Sequence, residues 1–440
     1  KRQPYYHDRI LCTLSALIAL RENRDGPLVE AAIHRGEQYI WRNIQFLRHD
    51  LMELVGFELI LPTLLAQAQK LGLDVPRHFC GYGRIRDSKL RLLPLDQIYK
   101  PGVSVAFSIE FLGEDGDPER LRYLQGKNGA VANAPAPTAY LLTHGGNHNA
   151  AALDYLERVR ALPNGAPGFY PFRTFEITWV LEHLAFGDLP LQAIVPSSIW
   201  QFLLANVEEQ GVSFDPWFGI YDGDTTSVAL HVLALGGQPA APQVLRVFEE
   251  PQTRTFRTFA FERNLSVGTN IHALEALALM PDYPDRQVVW ESVIATLLDQ
   301  QLYQSYWIDK WHASPYYATA HVLIALLKEQ EYQLVRHSQS IDWMLHMQRE
   351  DGSWGYFGRG TFEETAYVLL ALLHYHRHIA PIKADVLRRG AAYLAPAIQT
   401  TPHYPQMWIA KTLYAPEGII SAAIWAALAL YEQTMGCLPA

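Results

Sequence analysis

The chain predicts an all-α fold in two helical domains, and three observations lead there. Leu/Ala-rich stretches with a period close to 3.6 residues run through most of it, few segments alternate as strands do, and Pro/Gly clusters separate the helical stretches. Its 440 residues, 49% hydrophobic and 12% aromatic, exceed what a single core usually holds.

In the first half the helical stretches are 10–20, 28–46, 57–71, 151–161 and 172–186, with loops near 92–102, 132–137 and 163–168. Gly187-Asp188-Leu189-Pro190 breaks the pattern, which places a boundary near residue 190 and two domains at 1–190 and 191–440. The second half continues with 197–209, 225–236, 268–280, 289–303, 317–330, 337–347, 362–376, 384–396 and 418–433, after a loop at 237–242. Apolar helices start there near Thr225, Thr269, Ala318, Thr365 and Ser421, a recurrence of roughly 45 to 55 residues that suggests stacked hairpins. This spacing suits a closed α/α barrel better than an open solenoid, although spacing alone leaves both open. The segment from Gln348 through Asp351-Gly352-Ser353 to Trp354 reads as a turn that clamps two helices, Asp and Gly making the turn and Trp packing with its N–H bonded. Gln125 to Gly129 is a weaker copy, as expected of two related domains.

Several function classes are excluded. A net charge of −9 without clustered Lys and Arg argues against a nucleic-acid surface. No apolar run reaches the roughly 18 residues of a membrane span, and no signal sequence opens the chain, so a cytoplasmic location is expected. Cys12, Cys80 and Cys437 are too scattered for a disulfide framework or a thiolate metal site. Lys1 to Arg9 runs into a periodic helix without a cap, which suggests a missing upstream leader.

The chemistry centres on Asp222-Gly223-Asp224-Thr225-Thr226, which opens an apolar helix. A free Asp titrates near ~3.9 and donates no proton at neutral pH unless its surroundings oppose its charge. A second carboxylate two residues away and an apolar cavity would both do so, and could keep Asp224 protonated and able to attack a carbon–carbon double bond. Taken alone, the same residues are also the composition of a helix N-cap, the commoner role.

The remaining landmarks resemble class II terpene cyclases of the diphosphate-retaining group, along almost the whole chain. They are His7-Asp8-Arg9, Gly56-Phe57-Glu58, Tyr170-Pro171 with Phe175-Glu176 and Trp179, the Asp222-x-Asp224 pair, Asp309-Lys310-Trp311 with Ser314-Pro315-Tyr316-Tyr317, the Gln348–Trp354 turn, Glu363-Glu364-Thr365-Ala366-Tyr367, and Trp408-x-x-Lys411-x-Leu413-Tyr414. The resemblance implies two α/α-barrel domains, γ over 1–190 and β over 191–440. It implies Asp224 as general acid, Asp222 as its flanking partner, and Asn270 as an amide hydrogen-bonded to the acid. Thr225 stands where the family carries a third carboxylate. The Asp-x-Asp-Thr-Thr variant resembles bacterial cyclases making drimane sesquiterpenes, so farnesyl diphosphate is the first expected substrate and geranylgeranyl diphosphate the alternative. Phe107 and Gly168 occupy the places of a His and an Asn that position a terminating base in ent-copalyl-type members.

The reaction implied is protonation of the terminal double bond, ring closure through carbocations and loss of a proton, with the diphosphate retained. The Asp-Asp-x-x-Asp motif that ionises a diphosphate is absent from the sequence. Cations need aromatic faces and dry surroundings, for which Trp307, Trp311, Tyr316, Tyr317, Trp354 and Tyr367 are the expected lining, although each taken singly is as readily core. A diphosphate needs basic groups or Mg2+. Asp50 and Glu53, three apart on one helix face, are the expected magnesium ligands or else a solvated pair; Lys89 and Arg91, with Arg359 or Lys411, are the expected phosphate contacts. The expected partners are a prenyl diphosphate and, as an assembly the residues leave open, a second copy of the chain in a homodimer. Two other readings stand beside this one. A protein-prenyltransferase-like barrel would need a zinc site that none of the cysteines offers, and a non-catalytic barrel would only bind an isoprenoid.

Overall fold

The structure is a computed structural model that describes residues 5–77, 79, 81–93, 97–145, 149–163, 165–239, 241–260, 262, 264–400 and 402–438. It is built of helices, with only two-residue strands such as Val212–Ser213 and Tyr221–Asp222 among the described residues. Two compact units are present: Lys1–Phe172 with Trp217–Ile220 and Ile409–Tyr414, and Arg173–Pro216 with Tyr221–Trp408 and Ala415–Ala440. The first unit ends at Phe172 instead of near 190. The reason is packing: the Arg173–Phe186 helix lies against Gly223–Leu235 and Glu417–Met435 of the second unit. Gly187–Pro190 is therefore a turn inside that unit.

In the second unit six helices close a ring. Arg173–Phe186 packs on Gly223–Leu235, which packs on Val267–Ala278, then Pro315–Lys328, Phe362–His378 and Glu417–Met435, which returns to Arg173–Phe186. Their sequences carry apolar residues around the whole helix, as a helix covered on both sides requires. Pro315–Leu327 is buried at every residue, and so is Glu363–His374. Outside the ring, Ser197–Ala205, Arg286–Asp299 and Ala384–Leu394 cover its members. Ala384–Leu394 is correspondingly one-sided, burying Leu387, Gly390, Ala391 and Leu394.

Four of the six inner helices start from a polar cap. Asp222, Ser266, Ser314 and Thr361 each accept a hydrogen bond from a backbone N–H of the first turn, which satisfies amides that would otherwise be buried without partners. The expected clamp is present. Gln348 donates to the carbonyls of Gly352 (3.0 Å) and Val386 (2.9 Å), and the Trp354 indole donates to Met344 O at 2.7 Å. Gly352 sits at φ +86°, where a Cβ would also lie 2.5 Å from Arg389 O, so only glycine serves.

The first unit packs its helices in succession. Tyr6–Asn23 lies against Pro27–Asn43 and Phe57–Lys70, the latter against Tyr82–Leu92 and the Ser104–Asp115 segment, and that segment against Pro135–His144, which meets Ala150–Arg160. The copy of the clamp is here: Gln125 donates to Gly129 O at 2.8 Å and exchanges hydrogen bonds with Asn149 at 3.0 and 2.9 Å. Cys12 and Cys437 are exposed and form no disulfide among the described residues, while Cys80 lies outside the described residues. No helix among the described residues is long and apolar enough to cross a membrane.

Candidate active site

Asp222 and Asp224 stand at the start of the Gly223–Leu235 helix, on the inner ring. The strand pairing of Asp222 with Val212 fixes the entry, and Thr226 locks it by donating to Asp222 O (2.6 Å) while accepting from Val212 N (2.8 Å). Gly223 is required between the acids, because a Cβ there would lie 2.2 Å from Arg257 O. Asp222 is fully buried. Its Oδ1 caps Thr225 N–H at 2.7 Å and its Oδ2 has no partner among the described residues. Burial pushes its carboxyl well above the usual range, with the Asp224 charge adding to the rise against the Thr225 hydrogen bond. Thr225 contributes its backbone N–H to that cap.

Asp224 keeps 7% exposure in the first turn, where the helix dipole favours an anion. Its Oδ1 is 2.7 Å from His272 Nδ1. The amide expected on it is elsewhere: Asn270 accepts from Phe256 N (2.9 Å) and donates to Phe256 O and Ser266 O (both 2.9 Å), so all its bonds go to backbone. Two residues further along the Val267–Ala278 helix, His272 turns to the acid instead. Burial opposes the charge of His272, but Asp224 through charge and hydrogen bond, with Glu182 and Asp309, raises its pKa above the ordinary value. The pair is thus a carboxyl held by an imidazole that favours its protonated form. Asp309 caps the same helix, accepting from Gly268 N (2.9 Å) and Ser266 Oγ (3.0 Å), and burial raises its carboxyl.

The expected aromatic lining divides. Trp307 and Trp354 are clamps, each indole donating to a carbonyl ten residues earlier (Leu297, 2.6 Å; Met344, 2.7 Å) and each backbone N–H to a threonine of the next helix. Tyr316 stacks on Trp343 with centroids 4.7 Å apart. Tyr317 and Tyr367 lie in the barrel interior, edge-to-face at 5.4 Å, with Trp179 and Trp408 completing the group around Tyr317. Glu363 is their hub, accepting at Oε1 from Trp408 Nε1 (2.7 Å) and Tyr367 Oη (3.1 Å) and facing His312 Nε2 at 3.1 Å. Trp311 is half-buried, set edge-on to Phe259 at 5.9 Å with Lys310 Nζ 5.1 Å from its ring centre.

The charged candidates of the first unit are engaged. Asp50 Oδ2 accepts from His7 N at 2.8 Å and lies 2.7 Å from His7 Nδ1, while Tyr82 Oη donates to Glu53 at 2.9 Å and faces His7 Nε2 at 3.1 Å. Two acids joined through a buried His and Tyr do not present the open oxygen set that Mg2+ takes. Lys411 is buried against Glu110 at 2.6 Å and over the Phe107 ring at 4.8 Å, which makes it a structural cation. Lys89 and Arg91 are two apart on Tyr82–Leu92 and so point to different faces, and Arg91 donates to Asp87 O at 3.2 Å.

Known proteins of similar sequence and structure bear on this site. Residues 265–401 match the squalene-hopene cyclase C-terminal domain. The chain is 35% identical over 98% of its length to a type B diterpene cyclase of Mycobacterium tuberculosis, covering 87% of that protein. It is 30% identical over 96% of its length to an ent-copalyl diphosphate synthase of a Streptomyces species, covering 83% of it. The structure of ent-copalyl diphosphate synthase from Streptomyces platensis superposes with a TM-score of 0.76 at 30% identity, over 96% of this chain and 87% of that one.

Proposed function

Because this chain belongs to the class II terpene cyclases, enzymes that cyclise prenyl substrates by protonation, we propose that it closes geranylgeranyl diphosphate to a copalyl- or labdane-type diphosphate, with Asp224 as the acid. The observation that carries this reading is the 2.7 Å contact between Asp224 and His272 at the start of an inner barrel helix. In this mechanism Asp224 gives its proton to the terminal double bond, and the His272 cation stabilises the carboxylate left behind. Ring closure passes the charge through tertiary cations, for which the faces of Tyr317, Tyr367 and Trp311 offer cation–π support of roughly 0.5–2 kcal/mol each. Loss of a neighbouring proton ends the reaction with the C–O bond to the diphosphate intact. Magnesium accompanies the diphosphate as its counterion in this proposal, not as a ligand of Asp50 and Glu53.

The C20 substrate replaces farnesyl diphosphate, the first expectation from the Asp-x-Asp-Thr-Thr motif. Relatives matched over nearly the whole chain are named as a diterpene cyclase and a copalyl diphosphate synthase, and that outweighs one threonine. The test is incubation with each diphosphate in turn, phosphatase treatment and mass spectrometry, with Asp224→Asn in parallel. A bicyclic C20 alcohol lost in the variant supports the proposal. A C15 product alone would restore the drimenyl reading, and no product from either would refute both.

A further inference from the structure

Beneath the acid, the barrel interior holds a second set of titratable groups that the mechanism above does not use. Glu182 on Arg173–Phe186, His231 on Gly223–Leu235 and Glu275 on Val267–Ala278 each offer a donor atom, all within 4.8 Å of one another. Glu182 is 0% exposed, Glu275 2% and His231 7%. His231 Nδ1 sits between the two oxygens of Glu182, at 2.8 and 3.0 Å. Neither oxygen of Glu275 accepts a hydrogen bond from a donor among the described residues. Two buried carboxylates side by side cannot both remain charged without a proton or a cation between them.

The cluster is tied to the acid through the helix it shares. Glu275 lies three residues beyond His272 and so on the same face. His272 Nε2, on the side of the ring away from Asp224, is buried with no partner among the described residues. We propose that Glu182, His231 and Glu275 form a positioning site for the acid, in which Glu275 carries a proton, Glu182 stays an anion paired with His231, and the Glu182 carboxylate favours the protonated form of His272 against Asp224. The proposal rests on the reading of Asp224 as the acid.

Charge and burial agree with this division. Burial pushes the Glu275 carboxyl well up, and the neighbouring Glu182 adds to it through its charge and by accepting the Glu275 proton. Burial also opposes ionisation of Glu182, but His231 through charge and hydrogen bond, then His272 and Glu275, leave it below its ordinary value. The other groups facing the cluster are few. Lys328 and Glu329 of the neighbouring helix act on Glu275, and Lys328 is itself paired with Asp188 at 2.9 Å. Around His272 stand Asp224, Asp309 and the rings of His183 and His321; burial lowers both rings, His183 to about 4 and His321 well below its ordinary value, so both are neutral.

The experiment follows the ring nitrogens of His272 against pH by NMR in protein labelled with 15N-histidine, the signal identified by its absence in His272→Asn. Glu182→Gln is expected to lower the midpoint of His272 by about one pH unit, the usual effect of a nearby opposite charge, and to move the alkaline limb of kcat with it. Glu275→Gln, which mimics a protonated Glu275, is expected to leave the midpoint near the wild-type value. It should also remove one protonated-carboxyl C=O stretch from the infrared spectrum at neutral pH, a readout that serves if Glu182→Gln does not fold. An unmoved midpoint in Glu182→Gln, an equal shift in Glu275→Gln, no lost carboxyl band, or one divalent cation per chain by elemental analysis would each overturn the proposal. The titration needs no substrate, so its failure is distinct from a failure of the cyclase reading.

Discussion

Replacing His272 by Asn tests whether the imidazole drives the acid. His272 is fully buried and meets Asp224 through a 2.7 Å hydrogen bond, charge-assisted when the ring is protonated. Such bonds contribute about 1.5–3 kcal/mol. Asn can still hydrogen-bond but carries no charge, so the term lost is the one that grows as Asp224 becomes a carboxylate in the transition state. A loss of about 2–3 kcal/mol corresponds to a fall in kcat of roughly 30- to 150-fold. KM should hardly change, because the bound substrate is neutral at its reacting double bond. The pH profile adds a second signature. The folded pKa of His272 is raised, so the charged ring, and the stability it contributes, is fully present below the unfolded value of about 6.5. Both decline as pH rises through the raised folded value. Wild-type kcat should fall along that limb, and the variant should lack it. The assay is steady-state product formation from geranylgeranyl diphosphate between pH 5 and pH 9, with circular dichroism to verify folding. A folded variant with kcat within about threefold of wild type, or with the alkaline limb intact, would refute the reasoning.

Three further outcomes are expected. Gly223→Ala drives a Cβ to 2.2 Å from Arg257 O; thermal melts should show a loss of about 1–3 kcal/mol or more, with kcat falling as the acid helix shifts. Trp307→Phe removes the indole bond to Leu297 O. It should destabilise by about 1–3 kcal/mol in urea while product identity is unchanged, whereas a new product ratio would return Trp307 to the cavity wall. Asp50→Asn weakens the two contacts to His7 and should lower the melting temperature with the magnesium dependence of kcat preserved. A tenfold rise in the magnesium needed for half-maximal rate would make Asp50 a ligand after all.

Residues local in the sequence were legible in it. The apolar periodicity of the inner helices, the turn within the Gln348–Trp354 clamp and the N-cap at Asp222 depend on neighbours within about a dozen positions, and each emerged as read. The aromatic lining was harder, because one residue type serves two purposes. Trp307 and Trp354 match Tyr317 and Tyr367 in apolarity, and only the partner of each polar atom separates a clamp from an interior wall. A signal was present for His272: with Thr269, Asn270 and Glu275 it is one of the buried polar residues of the Val267–Ala278 helix, and buried polar groups need partners.

By itself, then, the sequence determined an all-α barrel, the position of the acid pair and the family. Tertiary structure decided which of two polar residues on one helix reaches the acid. Asn270 and His272 are two positions, about 200° of helical rotation, apart, so one faces the Phe256 backbone and the other Asp224. It also decided that Asp50, Glu53 and Lys411 are internal partners of His7, Tyr82 and Glu110, since those partners come from distant parts of the chain that composition and spacing do not bring together.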